Sequence, residues 1–259
     1  MPRFDRLEFE PAPERPEAAP LPPVLEERDH RYWLSMADAE RRQGHYENGL
    51  RYYSRALELD RSLVDGWVGQ VQMLIALGEY PEADLWSRKA LELFRNNADL
   101  LAGRAHALCR MGDTKQAASL CDAAIGQAGQ SAYRWVVRGE LLLGRRQETD
   151  RYCFDKAIQL DPDWLVPLEI ALIYLHYRLP SKAVVRVRQA LAKAPESFYC
   201  WYVQGWCEQE LGLNSRAEAS LRRCLELAPR YVEAEQRLTA LANGGWSLGR
   251  RLRRLFRLS

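Results

Sequence analysis

Histidines, glycine-rich loops and paired cysteines, which usually mark a catalytic or metal-binding chain, are scarce in this sequence. Only four histidines occur among 259 residues, and none lies in a His-x-x-x-His spacing, so no zinc site is indicated. The segment Gly66–Gly69 is not a phosphate loop, because no lysine follows it. His106 and Cys109 lie one turn apart on a predicted helix, but this spacing arises by chance on any helix, and we interpret both as structural. The sequence therefore predicts no catalytic residues, no metal ligands and no cofactor.

Long apolar runs are missing as well. The most apolar stretch, residues 165–177, is interrupted by Pro167, Glu169 and His176, so no membrane span is predicted. Residues 1–10 are charged at short intervals and lack the apolar core of a signal peptide. The six cysteines form no Cys-x-x-Cys pair, which favours buried, reduced thiols. We therefore expect a cytoplasmic protein.

A charge excess is absent from the chain as a whole but present at both ends. The 37 basic and 35 acidic residues leave a formal net charge of +2. Residues 247–259 contain five arginines and no acid, whereas residues 1–28 contain four arginines and seven acids. The near balance argues against a nucleic-acid-binding protein, because such domains are usually strongly basic.

What the sequence does contain is an internal repeat of 33 or 34 residues. The column of small residues that defines it consists of Ala56, Ala90, Ala124, Ala157, Ala190 and Cys224. A column of mostly large residues consists of Trp33, Trp67, Leu101, Trp135, Pro167 and Trp201. Turn glycines recur at Gly44, Gly78, Gly112, the slightly displaced Gly144, and Gly212, and prolines follow at Pro162, Pro195 and Pro229.

Each column has a physical cause in a repeated helix pair. The tryptophans are apolar knobs between helices, and the small residues stand where two helices approach closely. The glycines end the first helix in the left-handed conformation, and the prolines stop the second helix. Repeat 4 loses a residue in the turn at 145–147, and repeat 5 carries Pro167 in the tryptophan column and Leu179–Ser181 in place of the glycine. We expect local irregularity in these two repeats.

A period near 34 with four columns in register resembles the tetratricopeptide repeat family. The resemblance covers roughly residues 30–231 and implies an all-α, right-handed α-solenoid of about six helix pairs. The apolar face of the last pair has to be covered by a further element. We therefore predict a capping helix over 232–243 that ends at Asn243–Gly245. The predicted divisions are a tether at 1–28, six repeats within 29–231 (30–63, 64–97, 98–131, 132–163, 164–197 and 198–231), the cap at 232–243 and a basic tail at 244–259.

The resemblance also implies a concave groove built mostly from the first helix of each pair. From the repeat register, we expect this groove to contain Leu34, Asp38, Arg41, Val68, Gln72, His106, Arg110, Tyr133, Val136, Glu140, Leu168, Leu172, His176, Tyr199, Tyr202 and Trp206. The lysine, asparagine and arginine clamp with which relatives hold acidic chaperone tails is missing, which disfavours that ligand. The groove becomes aromatic towards repeat 6 and suits an extended or helical apolar peptide. Alternatively, aromatics such as Trp206 complete the packing between repeats.

The two ends of the chain have their own patterns. Six prolines between residues 11 and 23 predict an extended tether. Before it, residues 4–9 (FDRLEF) are either a disordered tail or a short segment that docks to a partner or to the solenoid's own groove.

The C-terminal tail reads as a short basic amphipathic helix, which binds an anionic membrane or a partner groove. Its candidate contact residues are Trp246, Arg250, Arg251, Arg253, Arg254 and Phe256. The alternative is a frayed or self-packed tail.

These patterns predict a non-catalytic protein-interaction scaffold or adaptor that binds a partner protein or peptide in its groove. Two alternatives stay open: self-association into an assembly, and a peripheral adaptor held by the tail at the inner face of a membrane. No nucleic-acid partner is expected.

Overall fold

The computed structural model describes residues 28–255, with side chains described up to Asn243. This part of the chain contains thirteen α-helices and no strand, which confirms the predicted all-α fold. The six helix pairs are α1 (His30–Arg42) and α2 (Tyr46–Leu59), α3 (Val64–Leu77) and α4 (Tyr80–Leu93), α5 (Ala98–Met111) and α6 (Thr114–Ile125), α7 (Ala132–Gly144) and α8 (Asp150–Leu160), α9 (Leu165–His176) and α10 (Pro180–Lys193), and α11 (Phe198–Glu210) and α12 (Asn214–Leu227), followed by α13 (Val232–Leu255).

The predictions for the two ends concern residues that the structure does not describe. The tether and its FDRLEF segment lie outside the described residues, apart from Arg28. The side chains of Trp246, Arg250, Arg251, Arg253 and Arg254, and the whole of Phe256, also lie outside them.

The turn inside each pair depends on one residue with a left-handed backbone. Four of the predicted glycines have this conformation, with φ between 74° and 88°: Gly44, Gly78, Gly112 and Gly212. In repeat 4 the expected turn glycine is wrong: Gly144 is the last residue of α7, and the left-handed residue is Arg146, with a φ of 59°. In repeat 5, where the sequence has no glycine and irregularity was expected, the left-handed residue is Arg178, with a φ of 58°. A side chain in this conformation costs roughly 1–2 kcal/mol, which glycine avoids.

The prolines act as predicted. Pro162, Pro195 and Pro229 each lie two residues beyond the end of a second helix, at Leu160, Lys193 and Leu227 respectively. Pro167 is the third residue of α9, within the first turn, where a missing N–H removes no helical hydrogen bond.

The small residues allow the paired helices to approach closely. Ala56, Ala90, Ala124, Ala157, Ala190 and Cys224 are all fully buried. Two glycines go further: a Cβ added at Gly69 would lie 2.3 Å from the ring of Tyr53, and one at Gly139 would lie 2.6 Å from Phe154. Large rings therefore pack directly on helix backbone, and the apolar core runs between the two helices of each pair.

The capping helix is longer than the sequence predicts. The expected end at Asn243 is wrong, because α13 continues through Gly244 and Gly245 to Leu255. Glycine permits a left-handed turn without requiring one, so a glycine pair does not by itself stop a helix. Ala234 and Leu238 pack α13 onto the core of the last repeats. None of the helices described between residues 28 and 255 has both the length and the apolar character needed to cross a bilayer.

Candidate functional site

A cavity of about 470 Å³ lies on the inner side of the solenoid. Its walls come from all six helix pairs, and the first helices α1, α3, α5, α7, α9 and α11 supply most of the lining. The volume falls within the roughly 300–1,000 Å³ range of ligand pockets. The repeats therefore surround one shared space.

Ten of the predicted groove residues line this cavity. They are Arg41, Gln72, His106, Arg110, Tyr133, Val136, Leu172, His176, Tyr199 and Trp206. The structure thus brings together residues that lie up to 165 positions apart in the sequence. Their role in binding a partner stays a prediction.

The other six predicted residues have different surroundings. Leu34 and Val68 pack against apolar clusters within the first three repeats, and Leu168 is fully buried in the core. Asp38 accepts a hydrogen bond from the hydroxyl of Tyr53.

Glu140 and Tyr202, the last two of these six, lie next to the cavity but do not line it. The carboxylate of Glu140 is fully buried, and the hydroxyl of Tyr202 lies 3.2 Å from Nε of Arg237, a residue of the capping helix. The repeat register identifies the inner helices correctly, but it does not separate lining residues from those one position deeper.

A buried ionic cluster lies behind the cavity wall between repeats 3 and 4. Oε2 of Glu140 is 2.7 Å from Nε2 of His106, and Oε1 contacts Nε of Arg110. These are close ionic contacts rather than aligned hydrogen bonds, because none of the four atoms has a partner with hydrogen-bond geometry. Burial alone would raise the pKa of Glu140, but His106 and Arg110 outweigh it and lower the pKa to about 2. The carboxylate is therefore ionised at neutral pH and holds the side chains of Arg110 and His106 at the wall.

His106 and Cys109 each have other partners. Nδ1 of His106 lies 3.3 Å from the hydroxyl of Tyr133, and Sγ of Cys109 lies 3.9 Å from the hydroxyl of Tyr177. Burial is the main cause that raises the pKa of the Cys109 thiol to about 11. The thiol is therefore neutral at physiological pH, which is unsuited to a nucleophile. All six cysteines are buried and free, as predicted.

Four polar residues of the cavity were absent from the predicted set: Tyr46, Tyr80, Glu169 and Arg178. Nε of Arg41 donates to Oε1 of Glu169 over 2.8 Å, which joins repeat 1 to repeat 5. The repeat register placed Glu169 in the column of Gly69, which faces the partner helix, so periodicity gave no signal for it. For Arg178, the only indication in the sequence of a special position was the irregular turn of repeat 5.

The first repeat also contacts the last two repeats at other points. Arg42 forms two hydrogen bonds of 2.9 and 2.8 Å with the carboxylate of Asp163. The hydroxyls of Tyr46 and Tyr199 lie 2.9 Å apart. The predicted concave groove is therefore closed where repeat 1 meets repeats 5 and 6.

The cavity combines an apolar wall with a cationic end. Leu172, Leu175 and Trp206 contribute apolar surface. Arg178 supplies positive charge, whereas the charge of Arg110 is paired with the buried carboxylate of Glu140. The side chain of Arg178 is 85% exposed, and its nearest ionic partner, Glu210, is 3.9 Å away. Such a surface suits an apolar group that lies beside an anion.

Comparison with known proteins identifies the repeat. The sequence profile of the tetratricopeptide repeat matches residues 30–63 and 198–231, the first and last helix pairs. No curated protein with a similar sequence is found.

Many solved structures share the fold at low sequence identity. A tetratricopeptide repeat protein from Parabacteroides merdae aligns with a TM-score of 0.51 and 14% identity, over 84% of this chain and 86% of that chain. A monomeric mutant of IFIT1 with Gppp-AAAA aligns with a TM-score of 0.54 and 16% identity, over 76% and 50% of the two chains. The APC/C hetero-tetramer Cut9–Hcn1 aligns with a TM-score of 0.50 and 14% identity; the match covers 84% of this chain and only 44% of that chain. These likenesses concern the fold.

The matched segments, the six stacked helix pairs and these structural neighbours agree. The chain contains tetratricopeptide repeats at residues 30–63 and 198–231, and its all-α solenoid fold is similar to the folds of solved tetratricopeptide repeat proteins.

Proposed function

We propose that this protein is a non-catalytic scaffold that takes a short segment of a partner protein into its central cavity. One observation carries the proposal: all six helix pairs contribute to the lining of a single cavity. A surface assembled from every repeat is available only in the folded solenoid. Helix-pair repeats are known for such concave binding surfaces.

The size of the cavity limits what can enter it. A volume of about 470 Å³ accommodates a few residues of a peptide. Of the extended or helical peptide that the sequence predicts, only a short segment fits a space that repeat 1 closes at one side. The chemistry of the lining favours a segment with an apolar side chain for Leu172 and Trp206 and an acidic group for Arg178.

The test is calorimetric titration with short peptides that combine one aliphatic or aromatic residue with one acidic residue. Arg178→Ala removes the exposed guanidinium from the cavity and keeps a non-glycine residue at the left-handed position. Arg146→Ala is the matched control, because Arg146 has the same conformation in the turn of repeat 4 and does not line the cavity. We expect Arg178→Ala to weaken peptide binding about tenfold, or roughly 1.4 kcal/mol, and Arg146→Ala to leave it unchanged.

Two outcomes would count against the proposal: no peptide of this class binds, or the two arginine variants bind equally well. A capped oligonucleotide is included as a competitor, because the IFIT1 neighbour was solved with Gppp-AAAA. Binding of the oligonucleotide in place of the peptides would assign the cavity to a different class of ligand.

Two further functions remain sequence-based predictions. Light scattering over a concentration series tests self-association. Vesicle flotation of the full chain against a chain that ends at Gly245 tests membrane contact through the tail.

A further inference from the structure

Three polar contacts join repeat 1 to repeats 5 and 6 across a large distance in the sequence. They are Arg41 with Glu169, Arg42 with Asp163, and Tyr46 with Tyr199, pairs that are separated by 128, 121 and 153 residues. We call these six residues the clasp. The clasp closes the solenoid on itself, and four of its members, namely Arg41, Tyr46, Glu169 and Tyr199, also line the cavity.

The clasp differs from the junctions between successive repeats because its polar contacts are made by the terminal groups of side chains. The helices that carry these side chains do not pack extensively against each other, whereas α2 packs closely on α3 and α4 on α5. The side chains of Arg42 and Asp163 are 38% and 33% exposed. Ion pairs that are exposed to this degree are weak and are screened by salt. The Arg42–Asp163 pair can therefore separate at little cost, whereas Tyr199 and Tyr46 also make contacts in the apolar core of the last repeats.

Gly44 shows how closely the two sides of the clasp approach each other. A Cβ added at Gly44 would lie 2.3 Å from the ring of Tyr199. Gly78 occupies the same turn position in repeat 2, and a Cβ there would meet nothing within 4 Å. The turn of repeat 1 therefore packs closely against Tyr199 of repeat 6.

The smallest packing surface between successive repeats lies where repeat 4 meets repeat 5. α8 is the shortest of the described helices, with 11 residues, and it packs on α9 over a smaller surface than α2 on α3. At this junction the ring centroid of Tyr174 is 5.3 Å from that of Phe154, and the hydroxyl of Tyr174 donates to Asp150 over 2.8 Å. A junction with so small a packing surface allows rotation of the units on either side.

We propose that the clasp is a gate: its release lets repeats 5 and 6 rotate away from repeat 1 about the junction between repeats 4 and 5, which opens the cavity. The gate acts whichever molecule enters, so it does not depend on the function proposed above. An occupant that contacts Arg41 or Glu169 competes with the clasp and stabilises the open form, whereas one held deeper in the cavity is retained by closure.

The test measures the distance between repeats 1 and 5 in the full chain without any ligand. Spin labels are attached to Arg51→Cys on α2 and Arg188→Cys on α10, both exposed positions. The labels react selectively, because the six native cysteines are buried. Arg42→Glu places two carboxylates together in the clasp. Arg55→Glu is the matched control, because it makes the same charge change in an exposed pair with Glu58 on α2.

We expect a single narrow distance in the parent chain and in Arg55→Glu, and a longer, broader distribution in Arg42→Glu at unchanged helical content. An Arg42→Glu chain with the parental distance would overturn the proposal.

A second measurement applies if Arg42→Glu does not fold. The parent chain is then measured between 0.05 and about 1 M salt, over which the Debye length falls from more than 10 Å to roughly 3 Å. The gate predicts that the distance lengthens with salt, and a constant distance contradicts it. Gly44→Ala, compared with Gly78→Ala, should reproduce the opening at low salt.

Discussion

Two kinds of interaction stabilise this solenoid. One acts at the junctions between successive repeats, and the other acts in the clasp between repeat 1 and repeats 5 and 6. Successive repeats bury apolar side chains such as Leu100 and Phe154, which are fully buried. The clasp joins repeat 1 to repeats 5 and 6 through hydrogen bonds and ion pairs, of which the Arg42–Asp163 pair is about one-third exposed. Apolar burial therefore determines whether the repeats stack, and the weaker polar contacts determine whether the stack is closed.

The largest expected effect comes from a cavity in a successive junction. Phe154→Ala removes a fully buried ring that packs on Gly139 and Tyr174, and we expect a loss of about 3–5 kcal/mol in the free energy of unfolding. Leu93→Ala is the control: its side chain is 58% exposed, so the change should stay within about 0.5 kcal/mol. Chemical denaturation of both variants checks the difference, and equal losses would show that Phe154 does not carry the junction.

Charge burial at the inner wall should have the next largest effect. Glu140→Gln leaves Arg110 and His106 without their buried counter-charge, and we expect a loss of about 3 kcal/mol in the free energy of unfolding. Glu58→Gln removes an exposed partner of Arg55 and should change it by less than about 1 kcal/mol. Denaturant titrations that show similar losses would mean that the inner cluster contributes no more than a surface pair.

The same carboxylate predicts how stability depends on pH. The pKa of Glu140 is lowered from 4.5 to about 2, so its contribution is fully present above pH 4.5 and is lost as the pH falls towards 2. In Glu140→Gln this part of the acid dependence should disappear. Thermal unfolding of both chains between pH 6 and pH 3 measures it, and parallel curves would contradict the prediction.

The smallest effect concerns the two turns that use arginine in place of glycine. Arg146→Gly removes a left-handed side chain on an exposed turn, and we expect a gain of up to about 1 kcal/mol in stability. Arg178→Gly should bring a similar gain and weaken ligand binding, because this side chain lines the cavity. A calorimetric melting temperature that falls in Arg146→Gly would show that the side chain stabilises its turn by other contacts.

Much of the fold could be predicted from local patterns. The prolines after the second helices and four of the turn glycines lie where the repeat places them, because each acts on the backbone of its own neighbours. The errors were also local in kind: Gly144 was expected to take the left-handed turn conformation, which Arg146 takes instead, and Gly245 was expected to end a helix but lies inside α13. Glycine makes a turn inexpensive, but the packing around it decides whether a turn forms.

The candidate site was predictable only in part. Periodicity selects the inner face of a helix, so His106, Leu172 and Trp206 were expected at the cavity and lie there. It gives no information about pairs between distant repeats, and Glu169 was therefore missed as the partner of Arg41.

The sequence by itself determined the six helix pairs and their order of stacking, because a repeat of 33 or 34 residues encodes contacts between neighbours along the chain. Only the tertiary structure decided that the stack closes on itself around a cavity. Closure depends on the accumulated rotation between repeats, so it brings Arg42 to Asp163 across 121 residues that no local pattern connects.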